Sequence, residues 1–315
     1  MKAVRAYAPA SIGNFSVGYD VLGAALAPVD GTPLGDEVTV EPAQEFSLRV
    51  DGPFAHKLPG DSQSNIVTRC YHYFCQALEE HGHRAAPCAM TLHKNLPIGS
   101  GLGSSASSIV AAFQALNVSA GSPFDDDRLL AMMGELEGQI SGSIHYDNVA
   151  PCFLGSMTLM TGDSRIAVKL PVPDSWYVTV CYSGISVSTA QARDILPKHI
   201  PMQDTLTFGR QLAVFVHALY QGESKQAAAV VNDVIAEPWR KQLLPAFDEC
   251  REKSLSQGAL AFGISGSGPT VFALCERETD ASNIAATLTQ TYIQNNDGFA
   301  HVCRVPAQGA LTTEL

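Results

Sequence analysis

Residues 97–108 constrain this chain more than any other stretch: Pro97, Ile98, Gly99, Ser100, Gly101, Leu102, Gly103, Ser104, Ser105, Ala106, Ser107 and Ser108 follow one another. Three glycines alternate with other residues, which lets a backbone turn tightly and come close to a ligand. Upstream, 88–93 reads as a strand. Downstream, Ala106, Ile109, Val110, Phe113 and Leu116 recur at three- and four-residue steps, so they share one helical face. A strand, a glycine-rich turn and a helix N-terminus leave unpaired N–H groups and the positive end of a dipole facing the turn. The spacing predicts an anion site, with a phosphate chain as its ligand. It is not a Walker loop, which would carry a lysine after its last glycine; here Ser104 stands there. A plain helix cap would use the same residues, so the function has to be read from the rest of the chain.

With 315 residues there is room for two cores, and 46% hydrophobic against 16% charged residues suits a compact enzyme rather than a disordered chain. The formal net charge of −11 argues against nucleic acid as a partner. An acidic protein that holds a polyphosphate needs backbone amides, arginine or a divalent cation at the site. No apolar run reaches the eighteen or so residues of a membrane span, and none near Met1 resembles a signal peptide, so a cytoplasmic protein is expected. The eight cysteines form no CxxC pair and read as reduced thiols; no zinc-ligand spacing is present.

The pattern of apolar residues predicts strands at 3–8, 37–41, 46–50 and 88–93 and helices at 65–80, 104–119 and 126–138. Asp125, Asp126 and Asp127 would cap the last of these. A Gly/Ser/His-rich segment at 138–151 then precedes a strand pair near 152–170. Pro171-Val172-Pro173-Asp174 reads as a boundary turn, and residues 1–160 and 161–315 are expected to form two domains. In the second, strands are expected at 176–182, 259–264, 270–275 and 298–304, with helices at 204–220, 224–235, 241–256 and 280–292. This order suggests α+β domains rather than one doubly wound sheet.

Four further segments concentrate polar residues and glycine without helical or strand periodicity. Residues 9–23 carry Asn14 and Asp20, which could equally bond their own backbone in a turn. Residues 135–148 carry Glu137, whose charge near a helix end opposes the dipole and so favours a functional use such as metal ligation. Ser188 to Arg193 and Glu237 to Arg240 form the third, and Gly263 to Thr270, a second glycine loop between apolar strands, the fourth.

Three of these segments, PASIGNFSVGYDVLG, PIGSGLGSSAS and GISGSGPT, resemble in order and spacing the three motifs of the GHMP kinases. These are small-molecule kinases for galactose, homoserine, mevalonate and phosphomevalonate. SIHYDNVAPCFLG and VSTAQARDILP narrow the resemblance to the homoserine-phosphorylating branch, and it runs from residue 3 to 305. It implies a two-domain α+β fold, with a ribosomal-protein-S5-like N-terminal domain, a ferredoxin-like C-terminal domain and an active site between them. It also implies ATP and Mg²⁺, with Pro97 to Ser107 around the triphosphate and Ser105 and Glu137 on the metal. Arg193 and Arg240 match the family's carboxylate-binding arginines, in keeping with the planar fork that a carboxylate calls for. Asn14, Asp20, His145 and Thr189 would meet the amino and hydroxyl ends, and Gly266 would bring backbone to the substrate.

At the catalytic base the sequence departs from its wider relatives. Mevalonate-type members have an aspartate near the position of Asn148, paired with a lysine in the first motif; here that position holds Asn148, and the first motif has no lysine. An amide cannot take a proton. The expectation is therefore direct transfer governed by positioning and charge, with Asn14 and Asp20 at the hydroxyl and Asp20 accepting its proton late. Threonine, which shares the carboxylate, amine and a hydroxyl, is an expected competitor, and a homodimer is compatible with the resemblance. The alternatives are a kinase for another small alcohol and a non-catalytic nucleotide-binding regulator. A serine hydrolase is disfavoured, because no G-x-S-x-G elbow surrounds Ser104 or Ser105.

Overall fold

Along Cys88–His93 the buried side chains of Cys88, Met90 and Leu92 alternate with more accessible ones, which marks a strand with one face on a core. In the computed structural model, which describes residues 1–141, 144–163 and 165–315 with the side chains of residues 62, 140, 141 and 189 outside that description, this strand belongs to a five-stranded sheet. The order is Leu311–Glu314, Val4–Pro9, Gly35–Pro42, Cys88–His93, Ser47–Asp51. Neighbours are antiparallel except the last pair, which is parallel. One core joins the sheet to the helices Ile66–Glu80, Ser104–Ser119, Asp126–Ser141 and Val149–Leu154. The helix Ser104–Ser119 lies at its centre, packed on Val4–Pro9 and Gly35–Pro42. Ile109 to Phe113 are all buried, as a helix sandwiched between a sheet and other helices requires.

The second large sheet runs Ala261–Ile264, Val271–Cys275, Tyr177–Tyr182, Phe299–Arg304, Ala27–Pro28 and is antiparallel throughout. Helices Phe247–Ser256 and Glu278–Thr291 pack on one face. Its other face meets Met202–Gln221, Ser224–Ala229 and a small antiparallel sheet of Ser11–Gly13, Leu22–Ala25, Met157–Met160 and Ala167–Leu170. Phe15, from the first motif, is the aromatic hub of that core. Its ring lies 5.0 Å from Phe272, 6.1 Å from Phe215 and 6.4 Å from Trp176. The first motif is thus gripped by residues from the far half of the chain.

The two halves also exchange strands. Ala27–Pro28 pairs with Phe299–Arg304 in the second large sheet, and Leu311–Glu314 returns to the edge of the first beside Val4–Pro9. Most expected elements are present within a residue or two. The differences are local and have local causes. Ser11–Gly13 and Leu22–Ala25 form a hairpin where no periodicity pointed to strands, because its residues are buried on both sides and show no alternation. The helix Val149–Leu154 precedes the expected strand pair. The helix expected over 224–235 stops at Ala229, and Asp233 instead accepts from the amides of Ile235, Ala236 and Glu237, starting the short helix Glu237–Arg240. The helix expected from 241 begins at Phe247, after Pro245, whose ring cannot continue a helix from the preceding turn.

Candidate active site

The three glycine-rich motifs converge on one cleft of about 1010 Å³. In the loop of residues 97–103, Gly99, Gly101 and Gly103 all have left-handed φ, at 66°, 80° and 65°. Neighbours as well as backbone demand glycine at two of them. A Cβ on Gly101 would lie 2.5 Å from the carbonyl oxygen of Ser265, and one on Gly103 would lie 2.2 Å from Ser11 Oγ. The loop's carbonyls are anchored outward: Gly99 O accepts from Val187 N at 3.0 Å, Ser100 O from Thr270 N at 3.1 Å, and Leu102 O from Ser11 N at 3.1 Å. Ser265 Oγ donates to Gly101 O at 2.6 Å. These bonds tie the loop to the first and third motifs and to Val187, and Gly99, Ser100, Gly101 and Gly103 line the cleft. Gly101→Ala is expected to cost at least about 2 kcal/mol, from positive-φ strain and the close carbonyl. Denaturant unfolding checks this, and a loss under about 0.5 kcal/mol would show that the loop tolerates a side chain.

Directly beneath the loop lies a buried ion pair. Lys94 is 2% exposed and Asp36 0%, and their side chains are in contact. Lys94 Nζ also donates to the carbonyl of Ser104 at 3.0 Å and to Ser108 Oγ at 2.9 Å. Asp36 Oδ1 accepts from the amides of Asn95 and Leu96 at 2.9 and 3.0 Å. Lys94 lines the cleft, so a lysine does stand by the glycine-rich loop, just after the strand that precedes it rather than on the helix after it, with its charge balanced by Asp36. Sequence reasoning, which sought a lysine after the last glycine, missed it. The available signal was a lysine three residues before Pro97, and only burial gives that position meaning.

On another wall Ser105 Oγ donates to Glu137 Oε2 at 2.7 Å, joining residues from two helices. That helix extends to Ser141, one turn beyond the expected end, so Glu137 sits inside its last turns. Burial raises the Glu137 pKa, opposed by the Ser105 hydroxyl, His145 and Lys94. Among the described residues no group of three or more His, Cys, Asp or Glu gathers as a preformed metal site. One carboxylate and one hydroxyl suit a hard cation that takes its remaining ligands from phosphate and water, as Mg²⁺ does.

The residues expected at the substrate end also meet here. Asn14 has left-handed φ of 68°; its Nδ2 donates to Gly266 O at 3.1 Å, and its Oδ1 accepts from Asp20 N at 2.8 Å. Gly266 N in turn donates to Gly13 O at 3.1 Å, tying the first motif to the third. Arg240 is 4% exposed. Its Nε donates to Ala192 O at 3.1 Å, its Nη1 to Gly266 O at 2.9 Å, and its guanidinium lies 5.4 Å from the Tyr19 ring centre. A helix-end surface cation would have none of these partners. Arg193 Nη2 approaches Asp20 Oδ1 at 3.4 Å, with both side chains partly exposed. His145 lines the cleft. Thr189 opens the helix Thr189–Asp194, capped by Ser188, but its side chain lies outside the described residues.

Two neighbours complete the floor. Asn148 Oδ1 accepts from Ser11 Oγ at 2.9 Å. Asp147 lines the cleft at 3% exposure, and burial pushes its pKa up to about 6. Nothing in the residue order distinguished Asp147 from its polar neighbours, and it was not among the expected site residues.

Comparison with known proteins gives a consistent picture. The GHMP kinases N terminal domain matches residues 65–156, and the GHMP kinases C terminal domain matches 219–294. Among solved structures, a homoserine kinase from Cytophaga hutchinsonii is 33% identical over 99% of this chain and 98% of its own, with a TM-score of 0.89. The L. major mevalonate kinase, solved with R-mevalonate, is 17% identical over 96% of each chain with a TM-score of 0.68. The Streptococcus pneumoniae phosphomevalonate kinase is 14% identical over 95% of this chain and 98% of its own, again at 0.68. The last two likenesses concern the fold. Among the described residues no helix is long and apolar enough to cross a membrane, and all eight cysteines are free.

Proposed function

Since the chain belongs to the GHMP kinases, ATP-dependent phosphotransferases for small molecules, we propose that its acceptor is L-homoserine, phosphorylated on the side-chain hydroxyl to O-phospho-L-homoserine. The observation that carries this reading is the trio of Arg240, Arg193 and Asp20 in one cleft. A fixed guanidinium and a second arginine suit a carboxylate, and a carboxylate beside them suits an ammonium group. That pattern fits a zwitterionic amino acid. Mevalonate and galactose have no ammonium group to use it. The full-length likeness to a homoserine kinase supports the same choice.

In this reading Arg240 and Arg193 take the carboxylate and Asp20 the amino group, with Asn14, His145 and Thr189 around the remaining polar atoms. Gly266 O is already held by Asn14 and Arg240, so its peptide presents a fixed edge to the substrate. The triphosphate lies on Pro97 to Ser107, where amides and the helix dipole offset its charge. Ser105 and Glu137 would hold Mg²⁺, which when bound neutralises charge on the phosphates. The transferred phosphoryl group needs alignment and charge stabilisation more than covalent help, and these residues provide both. Cytoplasmic work in threonine biosynthesis is part of the same proposal.

ADP release measured over homoserine, serine, mevalonate and galactose tests it. Homoserine should lead by about 100-fold or more in kcat/KM, since a site built around polar groups strongly rejects analogues that leave them unpaired. Chelation should abolish turnover and Mg²⁺ restore it. Equal rates across the panel would sink the acceptor assignment, and full activity in chelator would sink the metal.

A further inference from the structure

The loop of the first hairpin holds three successive residues in the left-handed region: Asn14 at φ 68°, Phe15 at 43° and Ser16 at 55°. All three are L-residues with side chains, and such residues visit this region singly if at all. A bulky residue such as phenylalanine is an outlier there. Asp20, further along the same loop, has φ of 59°. The turn is tightly closed. Asn14 N donates to Leu22 O at 2.7 Å, Gly18 N to Asn14 O at 2.9 Å and Val17 N to Phe15 O at 2.6 Å. Ser16 Oγ, on a residue 2% exposed, has no hydrogen-bond partner among the described residues. Strained backbone and an unpaired hydroxyl thus sit beside the acceptor end of the cleft. Backbone of this kind persists only where its surroundings over-determine it.

What holds the turn is the Phe15 ring. It is 0% exposed, and its aromatic neighbours come from three elements of the other half of the chain. Phe272 lies in Val271–Cys275, Phe215 in Met202–Gln221, and Trp176 just before Tyr177–Tyr182. Burial of the ring in that cluster offsets the cost of left-handed backbone. A turn that merely closed a hairpin would be better served by glycine at 15, so the ring is what the position requires. Phe15 itself does not line the cleft, but the residue before it does. The Asn14 amide is held at both ends, by Gly266 O and by the Asp20 amide, and Arg240 donates to the same Gly266 carbonyl. Releasing the ring would move Asn14 first, and Asp20 with it.

We propose that Phe15 is a positioning residue for the phosphoryl acceptor. Its ring, locked in the core of the second half, keeps residues 14–16 left-handed and so fixes where Asn14 and Asp20 meet the substrate. The loop of residues 97–103 is anchored by Ser11, Val187, Ser265 and Thr270, none of which belongs to this turn. The effect should therefore fall on the acceptor and spare ATP. Asn14 and Asp20 at the acceptor belong to the reading proposed above, on which this rests; the identity of the acceptor does not enter.

Steady-state kinetics in both substrates test it on wild type, Phe15→Ala, Phe15→Leu and Phe247→Ala, each below its unfolding transition. Phe15→Ala should lower kcat/KM for the acceptor by roughly 10²-fold, the scale of a 1 Å misplacement, and leave KM for ATP within about threefold. Phe15→Leu keeps a large apolar anchor and should recover to within about fivefold of wild type. Phe247 is a ring buried on the other face of the same sheet. Its truncation reports lost packing alone and should leave both KM values within about threefold. Should Phe15→Ala not fold, Phe215→Leu loosens the seat without altering the motif, and the same split is expected at about tenfold. Ser16→Gly reads the strain independently. It relieves left-handed backbone and removes the unpaired hydroxyl, so its denaturant midpoint should lie at or above that of wild type. Acceptor kcat/KM within threefold of wild type in folded Phe15→Ala overturns the proposal. So does an equal rise in both KM values, the same split in Phe247→Ala, or a lowered midpoint in Ser16→Gly. Should homoserine not be phosphorylated, the acceptor assignment alone fails, and the split is read on whichever alcohol of the panel reacts.

Discussion

Replacing Lys94 by methionine is expected to cost about 3–5 kcal/mol of stability, the range for breaking a buried ion pair by removing one partner. The reason is not the strength of the pair itself. Methionine fills much of the volume, but Asp36, 0% exposed, is left as a buried anion with only the Asn95 and Leu96 amides and the Ser108 hydroxyl. The Ser104 carbonyl also loses one of its donors and keeps Ser108 Oγ. The damage falls where Ser104–Ser119 begins, so the KM for ATP should rise as well. Asp36→Asn placed on Lys94→Met keeps an acceptor for the two amides and removes the stranded charge. The double variant should therefore regain part of the loss. Denaturant unfolding of the three proteins measures this, and a single-variant loss below about 1 kcal/mol would show that the pair is dispensable.

Arg240→Ala should lower kcat/KM for homoserine by about 10³-fold, equivalent to about 4 kcal/mol, while the KM for ATP stays near wild type. Part of the loss is the carboxylate fork, and part is the Ala192 carbonyl left without this donor and the Gly266 carbonyl left with Asn14 alone. Arg240→Lys separates charge from shape. An ammonium group cannot hold both carbonyls in one plane and still present a fork, so this variant should be nearly as poor. Activity of Arg240→Lys within threefold of wild type would show that only a positive charge is required. Denaturant unfolding confirms that the comparison is between folded proteins.

Elements whose information is local were legible in advance. Cys88–His93 and Ser104–Ser119 lie where periodicity placed them, and Asp125 caps the next helix through the amide of Arg128. The hairpin around Gly13 and Gly23 was not legible, since residues buried on both sides carry no alternation. The six-residue helix Val149–Leu154 was too short to show a period. At the site, Ser105 and Glu137 were expected as a pair through family likeness alone, and the fold sets them 2.7 Å apart. Arg240 could be read as a surface cation or a ligand until its burial excluded the first. Lys94 and Asp147 went unnoticed.

The residue order by itself determined the glycine-rich loop and the helix after it, because the glycines, a helix start and an apolar helical face are written within a few turns of chain. It also carried the family, through three motifs kept in order. What only the tertiary structure decided is the electrostatics inside the cleft: a lysine buried against Asp36 below the loop, an arginine fixed by two carbonyls, and an aspartate whose pKa burial raises. Charge and proton affinity at such positions depend on burial and on partners brought from distant parts of the chain. Asp36 and Lys94 are 58 residues apart, and Asp20 and Arg193 are 173 apart. No local pattern encodes those meetings; packing of the two cores around the first motif creates them.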